Sequence, residues 1–327
     1  MLRIALILLQ AGGPAEKPAF KAWQADICRA QAGAGLAGWL RRLQAGGAAS
    51  PPPVMPYGLD ELAFGLEQAL WDQGALQVFA APHLHRTILD PLAGAVAAWQ
   101  ATEMVILPLD PFFTPWRNGA ALQAWQQAAS AAGLGSVPSR RLCCHPTDPM
   151  LLRALVRRLQ PHLPADKAQD AAPLVLLLTP WPLGREETET GPWQARQLAR
   201  ELALATGLQA DNIWLSQASP KGMRLGGAVP GLDIMLRRLS GRKVVALSVT
   251  STPPDLQERA ASAGVDLIIA DQAGALAPLA DDVERLAHLV RQMRVVPPGI
   301  RAAFGRRQCA SGLAACPYPL VVDPAMR

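Results

Sequence analysis

Residues that could do chemistry stand where short apolar runs end. Gly12 and Gly13 follow the first run, His83 and His85 follow the second, and Asp255 follows a later one. Two imidazoles two residues apart could reach one metal ion in a turned segment, and ordinary surface histidines are the alternative. The glycines fit a tight turn, and Asp255 fits the N-terminal cap of a helix. None of these residues identifies a function by itself.

The cysteines are few and unevenly spaced. Cys143, Cys144, Cys309 and Cys316 could supply four soft ligands to an iron–sulfur cluster. Their spacing matches no standard ligand pattern, and free or buried cysteines are the alternative. We therefore expect no iron–sulfur cluster, and we expect thiols that are mostly reduced.

An aromatic group follows Pro111. Phe112, Phe113 and Trp116 come shortly after the apolar run at 104–109. Such side chains could pack in a core or between domains, or they could form an exposed lip for a flat apolar ligand. The sequence leaves both interpretations open.

The composition excludes several classes of protein. Half of the 327 residues are hydrophobic and 17% are charged, which excludes a disordered chain. The net charge of +5 is spread over separate arginine doublets, without the single basic face of a nucleic-acid binder. No apolar run reaches the ~18 residues of a membrane helix, so we expect a soluble, cytoplasmic protein.

The pattern of apolar runs predicts the fold class. Continuous runs, typical of strands buried on both faces, occur at 4–9, 76–80, 104–109, 173–178, 213–216, 244–249 and 265–270. Amphipathic helical patterns lie between them at 59–72, 150–159, 193–204 and 280–293. This alternation predicts an α/β fold with parallel sheets, in which ligands bind at the carboxyl ends of the strands.

The polar, alanine-rich segment 163–172 resembles a linker between two α/β halves. We therefore expect an N-terminal domain over residues 1–150 and a C-terminal domain over 151–295. Residues 296–327 show little periodicity, so we expect them to form a tail.

The motifs at the strand ends resemble the ferrochelatase family in order and spacing, over about residues 1–295. The matching segments are 6–14 with the opening strand and its glycines, 107–113 with L-P-L-Y-P-Q-Y, 191–194 with the G-D-P-Y helix start, 216–217 with the Y-Q-S-R loop, and 244–255 with V-V-P-I-S-F-V-S-D-H-x-E-T. The resemblance implies two Rossmann-like, doubly wound parallel-sheet domains that face a central cleft. It also implies insertion of ferrous iron into a porphyrin, as in heme biosynthesis, with Fe²⁺ as a substrate and no required cofactor.

The chain departs from the family at the position of the catalytic histidine, where it has Trp181. An imidazole accepts protons near neutral pH, whereas an indole only donates one hydrogen bond. The family's pocket arginine falls near His83, and its second-domain glutamate falls at Asp255. The resemblance therefore implies His83 and Asp255 as the catalytic residues, with Asp255 also as the metal ligand.

The resemblance also implies a set of partners and contacts. The substrate-binding residues would be Gly12, Gly13, Pro111, Phe112, Phe113, Trp181 and Gln217. Propionates would meet Arg117 or Lys221, and the partners would be a porphyrin or heme and a peripheral membrane surface, with no nucleic acid. Three hypotheses stay open: an active chelatase, a protein that binds porphyrin or heme without chelation while Trp181 stacks or plugs the site, and a binding protein for another small ligand.

Overall fold

The structure is a computed structural model in which both predicted halves of the chain are present. It describes residues 2–10, 58–82, 86–113, 118–164, 173–179, 187–218, 229–249, 252–253, 255–270, 277–303 and 309. Strand order, register and helix packing below refer to these residues.

A parallel sheet forms the centre of the first domain. Its strands are β1 (Arg3–Leu9), β2 (Ala75–Ala81), β3 (Glu103–Pro108), β4 (Ser139–Leu142) and β9 (Gly299–Arg301), in the order β2-β1-β3-β4-β9. β1 is paired on both sides, where Ile7 lies opposite Phe79 and Ile106. Residues 4–9 are all 0% exposed. A strand covered on both faces needs an apolar residue at every position, which explains the continuous run in the sequence.

The second domain contains a smaller parallel sheet. Its strands are β5 (Leu174–Thr179), β6 (Ile213–Gln217), β7 (Lys243–Ser248) and β8 (Asp266–Ile269), in the order β6-β5-β7-β8. β5 is the strand with neighbours on both sides, and all six of its residues are buried.

Helices cover both faces of each sheet. They are α1 (Leu59–Ala69), α2 (Arg86–Ala98), α3 (Ala120–Ala131), α4 (Pro149–Leu159), α5 (Glu187–Thr206), α6 (Leu232–Arg238), α7 (Leu256–Ser262) and α8 (Ala277–Arg294). On the first sheet, α2 and α3 pack on one face, and α1 and α8 pack on the other. On the second sheet, α4 and α5 oppose α6 and α7. The prediction of two doubly wound, Rossmann-like α/β domains is therefore confirmed.

The chain enters the second domain through α4. The Asp148 carboxylate accepts a hydrogen bond from the Met150 N–H (3.2 Å) and so caps the helix, whose first residue is a proline. Leu151, Leu155 and Leu159 then recur on one face and pack into the core of the second domain. These contacts place α4 in the second domain, and the exact division at residue 150 stays a prediction.

The C-terminal part of the chain departs from the expected division. α8 packs against α1 of the first domain, where Leu286 and Val290 join the same core as Leu62 and Leu66. β9 then pairs with β4, so residues 299–301 belong to the first sheet rather than to a tail. The reason is that the apolar stripe of α8 fits either sheet by its periodicity, and only tertiary packing decides between them.

Candidate functional site

In each sheet, the first strand of the domain has the next two strands of the chain on its opposite sides. The chain passes from β1 to β2 on one side and later to β3 on the other, and the same arrangement relates β5, β6 and β7. Crevices at such positions, outside the carboxyl ends of the strands, are where doubly wound proteins bind ligands. Residues that follow β1, β3, β5 and β7 therefore form the candidate site.

Several predicted site residues fall outside the described residues. These are Gly12, Gly13, His83, Arg117, Trp181, Lys221 and Cys316. Their roles stay predictions. The structure describes parts of the site after β3 and β7 and the helix after β5, and the segments after β4 and β6 end beside them at the same sheet edges.

Gln194 joins the two domains beside the candidate site. This residue of α5 is 0% exposed. Its Oε1 accepts a hydrogen bond from the backbone N–H of Phe113, which follows β3 (2.8 Å), and its Nε2 donates to Sγ of Cys309 (3.4 Å). A buried amide with both ends engaged fixes the groups around it. The carboxyl edge of the first sheet therefore lies against the helix that follows the central strand of the second.

The two phenylalanines after Pro111 belong to different cores. Phe112 is 2% exposed and packs in a core of the second domain, whereas Phe113 is 1% exposed and packs with Trp125 in the first. The Asp110 carboxylate accepts a hydrogen bond from the Phe112 N–H (3.0 Å), which closes the turn after β3. This burial favours packing between the domains over an exposed lip.

Asp255 lies in the segment between β7 and α7. It occupies the position before the helix, yet its side chain makes no capping hydrogen bond. Its Oδ1 instead lies 3.6 Å from Nη1 of Arg259, and 38% of the Asp255 side chain is exposed. At the start of this segment, the hydroxyl of Ser248, the last residue of β7, hydrogen-bonds to the hydroxyl of Thr252 (2.9 Å). Asp255 is therefore an accessible carboxylate at the carboxyl edge of the second sheet.

Gln217 ends β6 at the same edge. Its backbone N–H donates to the Pro230 carbonyl (3.0 Å), and the residue is 6% exposed. The Ser216 hydroxyl donates to the same carbonyl (3.2 Å). These bonds fix the end of β6 beside the start of α6, and Gln217 as a substrate-binding residue stays a prediction.

His145, which follows β4, is fully buried and contacts α8. Its Nδ1 accepts from the Arg285 guanidinium (3.2 Å), because a guanidinium only donates, and its Nε2–H donates to the Pro108 carbonyl (3.3 Å). Burial, and then the charge of Arg285, lower the pKa of His145 to about 3. The imidazole is therefore neutral at physiological pH and has no nitrogen left for a substrate.

The sequence did not reveal the roles of Gln194 and His145. Gln194 interrupts an apolar helical stripe, and a polar residue at such a position is a signal for a buried hydrogen bond. His145 stands directly after two cysteines, and no pattern around it in the sequence indicates that it packs against α8.

The described thiols lie together in the first domain. Cys143, Cys144 and Cys309 are buried, and the Sγ atoms of Cys143 and Cys144 are 3.7 Å apart. Hydrogen bonds with the other two thiols, together with burial, raise the pKa of Cys144 well above its ordinary value. Thiolates are the form that binds metals, so this environment disfavours ligation. The expected lack of an iron–sulfur cluster stays a prediction.

The described ranges contain neither a clustered set of metal-ligand side chains nor a helix able to cross a membrane. Within them, no group of three or more histidine, cysteine or acidic side chains is arranged to hold a metal ion. Likewise, none of the helices in those ranges combines the length and the apolar character needed to cross a membrane.

In sequence, the chain is similar to curated proteins named ferrochelatase. No family model matches the chain. The ferrochelatase of Phenylobacterium zucineum (strain HLK1) is 28% identical over 139 residues, which cover 42% of this chain and 39% of the relative. The ferrochelatase of Hyphomonas neptunium (strain ATCC 15444) is 23% identical over 257 residues, 74% of this chain and 69% of the relative. The match thus spans less than two thirds of the first relative's length.

A solved structure shares the fold over most of the chain. SirB from Bacillus subtilis, determined with Fe³⁺, aligns with a TM-score of 0.52 at 12% sequence identity, covering 90% of this chain and 96% of SirB. At this identity the likeness concerns the fold alone. The chain thus resembles curated ferrochelatases in sequence and shares the fold of SirB over most of its length.

Proposed function

We propose that the chain acts as a chelatase that inserts ferrous iron into a porphyrin. The observation that supports this proposal most is the placement of Asp255 after β7, at the switch point of the second sheet. The buried Gln194–Phe113 hydrogen bond ties the first sheet's carboxyl edge to the helix after β5. The relatives named ferrochelatase support a tetrapyrrole as the partner and a metal ion as the second substrate.

The reaction requires a proton acceptor at the site. Metal insertion replaces two pyrrole N–H bonds by bonds from nitrogen to the metal, so two protons must leave the ring. Trp181 does not serve, because an indole has only a donor. His145 does not serve either, because it is buried and both of its nitrogens are engaged.

Asp255 is the acceptor that we propose, with His83 as an assisting base. A carboxylate that is 38% exposed is open to a substrate in the cleft. Its oxygen atoms also suit a divalent cation, which lets the same group receive Fe²⁺ before insertion. The buried Phe113–Gln194 contact then holds the two domains beside the site and does not touch the reacting atoms.

A second candidate function is binding of a porphyrin or heme without chelation. Trp181 at the position of the family's catalytic histidine favours it. In this case the indole stacks on the macrocycle or fills the space beside it. Contact with a membrane surface stays a prediction under either function.

Anaerobic insertion of Fe²⁺ and of Zn²⁺ into a water-soluble dicarboxylate porphyrin tests the proposal. We expect the wild type to convert the free-base absorbance spectrum into that of the metalloporphyrin. Asp255→Asn should lower the rate more than about tenfold at unchanged porphyrin affinity. Asp266→Asn is the matched control, because this exposed aspartate begins β8 at the opposite edge of the same sheet, and it should leave the rate unchanged.

The outcome also separates the two candidate functions. Porphyrin binding without insertion would support the second function. A protein that shows neither porphyrin binding nor metal insertion would overturn both functions. Trp181→His then reports what the indole does. A plug predicts higher porphyrin affinity in the variant, whereas stacking predicts binding weaker by about 1–2 kcal/mol.

A further inference from the structure

We infer that Arg259 is a positioning residue that holds Asp255 at the site, an inference that rests on the proposed function. Arg259 lies in α7, and its side chain is only 3% exposed. Its Nε and Nη2 both donate to Oδ1 of Asp233, at 2.8 and 2.6 Å. Its Nη1 lies 3.6 Å from Oδ1 of Asp255. One guanidinium therefore contacts two carboxylates from different elements.

The two carboxylates belong to neighbouring carboxyl-edge segments. Asp233 is in the first turn of α6, which follows β6, and Asp255 stands just before α7, which follows β7. A guanidinium is a rigid planar group, so two nitrogens bound to Asp233 fix the direction of the third. Asp255 therefore meets a donor whose position is set by another helix.

The charges of the three groups explain why this contact would matter for a cation. Two carboxylates around one guanidinium stay net negative, and removal of Arg259 would make them more negative, so weaker use of Zn²⁺ by an Arg259 variant would report lost orientation of Asp255 and not lost charge. The ion pair attracts Oδ1 toward Nη1 and so favours one orientation of the Asp255 carboxyl group. Asp255 thus keeps a defined orientation while the cluster stays negative, as a site that receives a divalent metal requires.

A double-mutant cycle on the full chain tests the inference, with Zn²⁺ insertion into a dicarboxylate porphyrin as the assay. We expect Arg259→Gln to raise KM for Zn²⁺ about tenfold while porphyrin affinity is unchanged. Arg259→Lys should bring KM for Zn²⁺ part of the way back to the wild-type value, because lysine keeps the positive charge but lacks the planar set of donors of the guanidinium. In the Asp255→Asn background, Arg259→Gln should change the rate less than about twofold, since its effect acts through Asp255.

Arg140→Gln is the matched control. Arg140 also forms an ion pair, partly buried, with Glu103 at 2.6 Å, but it lies at the first sheet and far in sequence from Asp255. It should leave KM for Zn²⁺ unchanged. An equal loss in Arg140→Gln, or an effect of Arg259→Gln that adds in full to Asp255→Asn, would overturn the inference. Where Arg259→Gln does not fold, Arg259→Lys takes its place in the cycle, with a smaller expected effect.

A second measurement separates this inference from the proposed function. Wild-type protein that inserts no metal would overturn the proposed function. Carbodiimide labelling of carboxyl groups, read by mass spectrometry, then still reports whether Arg259 restrains Asp255. We expect faster labelling of Asp255 in the Arg259 variant than in the wild type, and equal labelling would show that Arg259 does not hold this carboxylate.

Discussion

The stability of the protein should fall as the pH is lowered from 7 toward 3, because of His145. Burial and the neighbouring Arg285 lower the pKa of this imidazole from 6.5 to about 3 in the folded state. The unfolded chain regains the ordinary pKa, so between these values it binds more protons than the folded chain. The stabilisation is therefore complete above pH 6.5 and is lost as the pH falls through about 3.

The magnitude follows from the difference between the two pKa values. At roughly 1.4 kcal/mol per unit, a change from 6.5 to about 3 sets an upper limit of about 5 kcal/mol. Between pH 7 and pH 4.5 the expected loss is about 2–3 kcal/mol. Asp148 acts in the opposite direction, because burial raises its pKa and so favours the folded state when this carboxyl group is protonated. This effect grows as the pH falls through the raised pKa of Asp148 toward its ordinary value. It therefore offsets part of the loss in stability that His145 causes at low pH.

Urea unfolding at pH 7, 5.5 and 4.5 provides the assay. His145→Asn keeps an oxygen near the position of Nδ1 for Arg285 but does not titrate in this range. We expect the variant to be less stable at pH 7 and to lose the His145 part of the pH dependence. His162→Gln is the control, since His162 is only partly buried in a short 3-10 helix. A wild type and a His145→Asn variant with the same slope of unfolding free energy against pH would refute the reasoning.

Two further predictions concern packing. Gly65→Ala should destabilise the protein by about 1–3 kcal/mol, because the added Cβ would lie 2.7 Å from Cγ2 of Val283 where α1 meets α8. Adding Val283→Ala should recover the thermal midpoint, and no recovery would contradict the proposed clash. Gln194→Ala should lower the free energy of unfolding by about 1–3 kcal/mol, because it leaves the Phe113 N–H buried without its partner. Thermal unfolding checks this loss, and Gln126→Ala on the outer face of α3 is its control.

The strands were predictable where they are buried on both faces. The runs at 4–9 and 104–109 correspond to β1 (Arg3–Leu9) and β3 (Glu103–Pro108). The sequence missed β4 and β9, because Ser139–Leu142 and Gly299–Arg301 are short and carry arginines, so they form no apolar run. Pairing with a neighbour, not composition, makes these segments strands.

The candidate site was predictable only in outline. Its place at the carboxyl ends of strands follows from the parallel sheet, and Asp255 is found there. The contact between Asp255 and Arg259 depends on the backbone turn before α7, and the contact between Arg259 and Asp233 depends on how α6 packs on α7. Such contacts form between elements that are distant in sequence or depend on a turn, so no local sequence pattern predicts them.

The return of α8 and β9 to the first sheet has a consequence for how the protein is made. The core around Leu62 and Leu66 is completed by Leu286 and Val290 of α8, which lie more than 200 residues further along the chain. A ribosome that adds about 5–20 residues per second therefore leaves this face uncovered for at least roughly ten seconds. The second domain, whose described strands and helices lie between residues 149 and 270, is complete earlier. The domain synthesised first is thus the one that finishes folding last, and its α1 face is where a nascent chain of this protein is most open to chaperones and to aggregation.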